Sequence, residues 1–170
     1  MHDKKLTLIV EQLAGLLINN NKQLAVAESC TGGWVAKVLT DIAGSSAWFD
    51  RGFVTYSNEA KQEMLGVAES TLETHGAVSQ ETIHEMALGA LKNSHADFSL
   101  SISGIAGPGG GSVEKPVGFV WFAWAVNDNN GVNILASENK VFDGDRDSVR
   151  HQAVEYALTE LIKYIEEVSG

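Results

Sequence analysis

The sequence predicts an α/β fold, in which a mixed parallel and antiparallel sheet is covered by helices on both faces. Segments with the apolar spacing of helices alternate with short strand-like segments over most of the chain, a pattern typical of parallel strand pairing. Near the end, two apolar segments flank the turn sequence Asp128-Asn129-Asn130-Gly131, which predicts a hairpin. Part of the sheet is therefore expected to be antiparallel.

The spacing of apolar residues and the boundary residues between segments define the predicted elements of the first half of the chain. Apolar residues three and four apart predict helices, aromatic and β-branched runs predict strands, and serine, asparagine or glycine marks the boundaries. In order, the predicted elements are a helix over 6–17, a strand over 24–27, a helix over 33–41, an extended segment over 48–56, and a helix from Ser57 or Asn58 to about Gly66.

The second half follows the same rules. Phe98–Ser103 alternates apolar and polar residues, which predicts a half-buried strand. The last helix starts within 144–147, and its predicted buried face consists of Ala153, Tyr156, Ala157, Leu161, Tyr164 and Val168. The remaining predicted elements are a turn or two over 70–75, a helix capped by Ser79, a glycine-rich loop over 104–112, and strands over 117–126 and 132–142.

Length and charge limit the classes of function. The 170 residues suit one domain, 1–170, and both the 44% apolar share and the 20% charged share are ordinary for a globular protein. A formal net charge of −10 argues against a duplex-DNA or anionic-membrane surface. We therefore expect neither nucleic acid nor membrane as a partner.

The single cysteine, Cys30, excludes an intrachain disulfide framework and favours a reducing compartment. The amino terminus leads into an amphipathic pattern instead of a signal peptide, and no apolar run has the length of a membrane span. A cytoplasmic protein is expected.

The most informative segment is Ala27–Gly33, which follows a strand and precedes a helix. It places Ser29, Cys30 and Thr31 at a helix start, where unpaired backbone N–H groups stabilise a developing anion. Two further loops also follow predicted strands. The second loop carries Tyr56, Asn58 and Lys61, and the third is the glycine-rich stretch over 103–111. Because ligands of open α/β sheets bind beyond the carboxyl ends of strands, the three loops are expected to meet.

These residue types suggest nucleophilic catalysis. Lys61 lies early in a helix, where the dipole disfavours an ammonium ion, and it is the candidate base. If its amine is also desolvated, its pKa falls toward a range in which the neutral form accepts a proton. Tyr56 either relays the proton or holds Lys61 in place. Ser29 is then the nucleophile, and the amides of Cys30, Thr31 and Gly32 are the expected oxyanion donors.

Alternatives remain open at this point. Cys30 is either a small buried residue or itself the nucleophile, since a helix start lowers a thiol pKa. Glu28 either orients a substrate amide or caps the helix, and Arg146 either grips a phosphate or belongs to a solvated helix start. A non-catalytic nucleotide-binding module, which needs only the glycine-rich loop, is the rival from another class. Metal is not expected, because the histidines are scattered and no Cys pair is present.

The three loops together resemble a known family, the nicotinamide-nucleotide amidohydrolases, which are stand-alone relatives of the CinA C-terminal domain. The resemblance covers roughly Leu6 to Tyr164. The matching motifs are Ala27–Gly33, Gly52–Lys61, Gly76–Ser79, Ser101–Gly110 and Lys115–Gly118.

The resemblance implies an activity and a set of site residues. The activity is conversion of nicotinamide mononucleotide and water to nicotinate mononucleotide and ammonia, in pyridine nucleotide salvage. A three-layer α/β/α sandwich, a homodimer of the single-domain form, and the absence of any metal or organic cofactor are also implied. Ser29 is the implied nucleophile, Lys61 the base and Tyr56 its support. The candidate substrate-binding residues are Glu28, Cys30, Thr31, Gly32, Gly33, Asn58, Ser103, Gly104, Ala106, Gly107 and Arg146.

Overall fold

The computed structural model describes residues 3–170, so Met1 and His2 of the predicted domain lie outside the described part. The helices are α1 (Lys4–Asn19), α2 (Trp34–Thr40), α3 (Asn58–Leu65), α4 (Glu69–His75), α5 (Gln80–Lys92) and α6 (Arg146–Ser169). The strands are β1 (Leu24–Glu28), β2 (Phe49–Val54), β3 (Phe98–Gly104), β4 (Phe119–Asp128) and β5 (Gly131–Val141). A short 3-10 turn, Ser45–Ala47, precedes β2.

The five strands form one mixed sheet in the order β2-β1-β3-β4-β5. Strands β2, β1 and β3 are parallel, whereas β4 pairs antiparallel with both β3 and β5. The predicted mixed sheet and hairpin are confirmed. The chain leaves β1 toward β2 on one side and later returns to β3 on the other, so β1 is the point at which the strand order reverses. Open α/β sheets bind ligands at the carboxyl ends of strands beside such a point.

Helices cover both faces of the sheet and make three layers. One apolar cluster joins α1, α2 and α6 to the sheet, and a second joins α3, α4 and α5 to the opposite face. Along β1 the side chains alternate between the clusters, with Leu24 and Val26 in the first and Ala25 and Ala27 in the second. The three-layer α/β/α sandwich is confirmed. No helix within residues 3–170 is both long and apolar enough to cross a membrane.

Strand β3 differs from the prediction in its burial. The alternating pattern predicts a half-buried strand, yet Phe98–Ser103 is buried throughout because helices cover both faces of this central strand. The hydroxyls of Ser99 and Ser101 in β3 face α5 and donate to backbone carbonyls, which satisfies them without water. Ser99 donates to Ala87 at 2.8 Å and Ser101 to Ile83 at 2.8 Å.

The buried face of α6 also differs in part. Ala153, Ala157 and Leu161 are buried as predicted, but Val168 is 50% exposed because the last buried residue of the helix lies one turn earlier. The hydroxyls of Tyr156 and Tyr164, at the flank of this face, donate to the Glu138 carboxylate on β5. The predicted face is therefore correct at its centre and wrong at its end.

Candidate active site

The structure brings Ser29 and Lys61 into direct contact. Ser29 follows the end of β1, and its amide donates to the Ile102 carbonyl of β3 at 3.0 Å. Lys61 lies one turn into α3, whose start is capped by the Ser57 hydroxyl. The distance from Lys61 Nζ to Ser29 Oγ is 3.0 Å, and the two residues are only 1% and 8% exposed. The loops after β1 and β2 therefore converge at the carboxyl edge of the sheet.

Two backbone carbonyls fix the direction of the Lys61 amine. Nζ donates to Thr55 at 2.9 Å and to Tyr56 at 3.1 Å. Burial lowers the pKa of the Lys61 ammonium from its ordinary value of 10.5. A neutral amine has two N–H bonds and one lone pair, so with both hydrogens on carbonyls the lone pair faces Ser29 Oγ. This arrangement suits removal of the serine proton.

Glu28 caps a helix. It is fully buried, and its two carboxylate oxygens accept from the amides of Val35 at 2.8 Å and Ala36 at 3.1 Å. Both oxygens of the carboxylate therefore hold the start of α2. Of the two alternatives, the structure shows the capping role, and a contact of Glu28 with substrate stays a prediction.

The amides of this loop differ in their hydrogen-bond partners. Gly32 donates to the Ser29 carbonyl at 3.1 Å, so its amide closes a turn. This amide was expected to donate to an oxyanion, but it is already used within the chain. Within residues 3–170 the Thr31 amide has no hydrogen-bond acceptor. Gly32 and Gly33 have φ of +58° and +100°, a left-handed conformation that side chains other than glycine adopt with strain.

Cys30 is a buried thiol in this loop. Burial raises its pKa to about 11, although the nearby charge of Arg150 acts in the opposite direction. A thiol with that pKa is protonated at neutral pH and is a poor nucleophile. The geometry favours Ser29 over Cys30 as the attacking group.

Tyr56 and Arg146 form a bridge over the site. Tyr56 is 61% exposed and contacts Lys61 through its carbonyl, while its hydroxyl accepts from Arg146 Nη2 at 3.2 Å. Arg146 Nη1 donates to the Gly107 carbonyl at 2.8 Å. The second and third loops are thus joined by one guanidinium group at the start of α6. The expected proton relay through the Tyr56 phenol has no hydrogen bond to Lys61 within residues 3–170.

The third loop closes the site from the β3 side. Gly107 has φ of +85°, and a Cβ there would lie 2.5 Å from Val117 Cγ1, so only glycine fits. Gly104 pairs with Val120 at the end of β3. Ser103 donates its hydroxyl to the Ala77 carbonyl at 2.9 Å and is buried, so the predicted substrate contact is not available to that donor. Ala106 is buried, and Asn58 is exposed at the first position of α3.

Sequence reasoning missed two residues at this edge. Thr55 supplies one of the carbonyls that hold Lys61, and Arg150 donates to the carbonyls of Cys30 and Thr31. The spacing of Arg146 and Arg150, four residues apart on a predicted helix, was the available signal that both point in one direction. The hydroxyls of Thr31 and Thr55 are buried without a hydrogen-bond partner within residues 3–170, which is uncommon away from functional sites.

Comparison with known proteins gives a consistent assignment. A sequence model described as the CinA C-terminal domain matches residues 6–165. The chain is 58% identical over 161 residues to "Nicotinamide-nucleotide amidohydrolase PncC" of Escherichia coli K12, and the match covers 95% of each chain. A protein with the same name from Pseudomonas putida is 47% identical over 158 residues, with 93% of this chain and 96% of that protein covered.

Solved structures agree with the fold. The competence/damage inducible protein CihA from Agrobacterium tumefaciens has a TM-score of 0.90 and 44% identity, with 96% of this chain and 98% of that chain covered. A CinA superfamily protein from Klebsiella pneumoniae 700603 has a TM-score of 0.87 and 38% identity, with coverage of 95% and 98%. On the sequence and the fold together, the chain belongs to the CinA C-terminal domain family.

Proposed function

We propose that this protein hydrolyses the carboxamide of nicotinamide mononucleotide to give nicotinate mononucleotide and ammonia. Relatives at 47% to 58% identity bear the name of that activity. The single observation that carries the proposal is the 3.0 Å contact between the buried Lys61 amine and the Ser29 hydroxyl. In the cell, the reaction belongs to pyridine nucleotide recycling, and we expect a cytoplasmic homodimer.

The first half of the reaction forms an acyl-enzyme. Neutral Lys61 accepts the proton of Ser29 as Oγ bonds to the carboxamide carbon, and the carbonyl oxygen becomes an oxyanion. A backbone amide of the loop after β1 is the proposed donor to that oxyanion, and one such donor contributes about 3–4 kcal/mol in enzymes where it has been removed. The C–N bond then breaks, and ammonia leaves with the proton from Lys61.

The second half regenerates the enzyme. Lys61, again neutral, accepts a proton from water as the water oxygen attacks the ester carbon of the acyl-enzyme. The bond between that carbon and Ser29 Oγ breaks, and the proton on Lys61 returns to Oγ. Nicotinate mononucleotide leaves as the acid product. Each proton is exchanged through one amine, which the Thr55 and Tyr56 carbonyls keep aimed at Ser29.

The nucleotide phosphate is proposed to lie toward the third loop and Arg146. Two of the five guanidinium N–H bonds of Arg146 are used by Gly107 and Tyr56, so donors remain for an anion. The Ala106 and Gly107 backbone flanks the same region. A phosphate held there leaves the rest of the nucleotide to extend toward Ser29 at the end of β1.

Ammonia release tests the proposal. We expect the wild-type protein and the Cys30→Ala variant to release ammonia from nicotinamide mononucleotide. The Ser29→Ala variant should bind the nucleotide but release no ammonia. The riboside and the dinucleotide, tested in parallel, define the substrate range. Full activity in Ser29→Ala excludes the serine mechanism. Binding by the wild type without ammonia release supports the rival, a non-catalytic nucleotide-binding module.

A further inference from the structure

The β3–β4 loop, residues 105–118, continues the third loop and crosses the carboxyl edge of the sheet from one helical layer to the other. On the side of α6, Arg146 donates to the Gly107 carbonyl at 2.8 Å. On the side of α4, Lys115 donates from Nζ to the His75 carbonyl at 2.8 Å. Because α6 packs with α1 and α2 whereas α4 packs with α3 and α5, the two cations tie the loop to opposite layers.

The anchor point of Lys115 is itself held from several directions. Three successive carbonyls, those of residues 75–77, accept from side chains of the β3–β4 loop, the start of α5 and the end of β3. The pairs are Lys115 to His75, Ser79 and Thr82 to Gly76, and Ser103 to Ala77, all at 2.7–2.9 Å. The segment is therefore fixed beside the carboxyl end of β3, and Lys115 fastens the β3–β4 loop to it.

Gly76 leaves room for the Lys115 ammonium. Its φ is +79°, which favours glycine, and a Cβ at this position would lie 3.3 Å from Lys115 Nζ, closer than ordinary van der Waals contact. His75 is the last residue of α4, so its carbonyl has no acceptor role within the helix and is free for a donor from outside. The contact accounts for the glycine that begins the Gly76–Ser79 motif, which the proposed reaction does not use.

We propose that Lys115 is a positioning residue for substrate binding, which holds the β3–β4 loop in the conformation that receives the nucleotide phosphate. The proposal rests on the proposed function, because the phosphate is proposed to lie beside Ala106 and Gly107 of this loop. Lys115 acts through the loop and not by a contact with the reacting carboxamide.

The outer part of the loop has little apolar packing to hold it. Residues 108–114 are all exposed, and the Val113 side chain at the tip is fully exposed. Without the Lys115 contact, binding of the nucleotide must also order this part of the loop, and that cost weakens binding. The Ser29 hydroxyl and the Lys61 amine are held by other contacts, so the chemical step should proceed as before once the nucleotide is bound.

Steady-state kinetics with nicotinamide mononucleotide provide the first test. Lys115→Met keeps the length of the side chain but cannot donate, and the loss of one hydrogen bond should raise KM by about 3- to 10-fold. The value of kcat should change by less than about twofold. Lys115→Arg keeps a donor and the charge, so its KM should stay within about twofold of the wild-type value. A fall in kcat with unchanged KM in Lys115→Met contradicts the proposal.

Lys92→Met is the matched control. Lys92 is also a cation at the carboxyl end of a helix in the same layer, and it is exposed. Because α5 ends just before β3 begins, Lys92 lies at the opposite edge of the sheet from Ser29. This variant should leave both KM and kcat unchanged.

A measurement that needs no activity keeps the two proposals distinguishable. Order parameters of the backbone amides over 109–115, from NMR relaxation, report the fast motion of the outer loop. We expect them to fall in Lys115→Met and to keep their wild-type values in Lys115→Arg and Lys92→Met. If the wild type releases no ammonia, the proposed function fails and the order parameters still decide whether Lys115 holds the loop. Unchanged order parameters in Lys115→Met, or an unchanged KM once the loop has loosened, overturn the positioning role.

Discussion

The amine of Lys61 and the hydroxyl of Ser29 are 3.0 Å apart, although 32 positions separate them in the sequence. Parallel pairing of β1 with β2 creates this proximity, because Glu28 and Val54 are partners at the ends of the two strands. The residues that follow each strand therefore emerge side by side. A lysine one turn into the next helix then turns back toward the serine.

The activity should depend on the deprotonated form of Lys61. Because burial lowers the pKa of this amine from 10.5, activity should fall on the acidic side as pH drops through the lowered pKa. Lys61→Met removes the titrating group, so we expect residual turnover at least about 100-fold lower, with that acidic limb absent. A pH–rate profile of kcat measures both effects. An unchanged acidic limb in the variant removes Lys61 from the role of base.

Lys61 should also make stability depend on pH. Between its lowered folded pKa and the ordinary 10.5, the unfolded chain binds a proton that the folded protein does not, so the free energy of unfolding rises with pH. Urea unfolding from pH 7 to 9.5 measures the slope. We expect the slope of Lys61→Met to be smaller than that of the wild type. Equal slopes mean that Lys61 stays charged in the folded protein.

Cys30 should be unreactive while the protein is folded. Its thiol is buried and has a pKa raised to about 11, so almost no thiolate exists at pH 7.5. We expect iodoacetamide to modify Cys30 only after denaturation, as measured by intact mass, and Cys30→Ala to keep at least about half of the wild-type kcat. Rapid labelling of the native protein with loss of activity supports the cysteine mechanism instead.

Arg146 should distinguish nucleotide from nucleoside. A charge-assisted contact with phosphate contributes about 1.5–3 kcal/mol, so Arg146→Ala should weaken binding of nicotinamide mononucleotide by about 10- to 100-fold. Binding of the riboside, which lacks the phosphate, should change little. Calorimetry in the Ser29→Ala background measures both without turnover, and Arg51→Ala is the control because Arg51 is exposed beside Asp50. Equal losses for both ligands indicate that Arg146 only joins the second and third loops.

Glu28 should contribute to stability through the cap of α2. Its two buried carboxylate oxygens accept from Val35 and Ala36, and Glu28→Gln replaces one acceptor by a donor that faces an amide. Leaving a buried group unpaired costs about 1–3 kcal/mol, so we expect a loss of about 2 kcal/mol in the free energy of unfolding. Urea denaturation measures the change. Glu59→Gln, at an exposed first-turn position of α3, should lower stability by less than about 0.5 kcal/mol.

Local sequence signals determined much of the fold and the composition of the site. Helical spacing, the caps Ser57 and Ser79 and the turn over 128–131 act over a few residues, so they are readable without a structure. The same holds for the grouping of candidate residues after predicted strands, which indicates that Ser29 and Lys61 lie at one edge of the sheet.

Tertiary structure decided which of these groups remain available for chemistry. Whether the Glu28 carboxylate, the Gly32 amide or the Ser103 hydroxyl faces a ligand or the chain depends on partners far away in sequence or on backbone rotation. The contacts of Arg150 join residues about 120 positions apart, at separations that no local pattern encodes. The sequence alone therefore determined which residues gather at the carboxyl edge of the sheet, because strand and helix order follow from short-range preferences. Only the packed layers decided which atoms point inward, because burial and hydrogen-bond competition arise between elements brought together by folding.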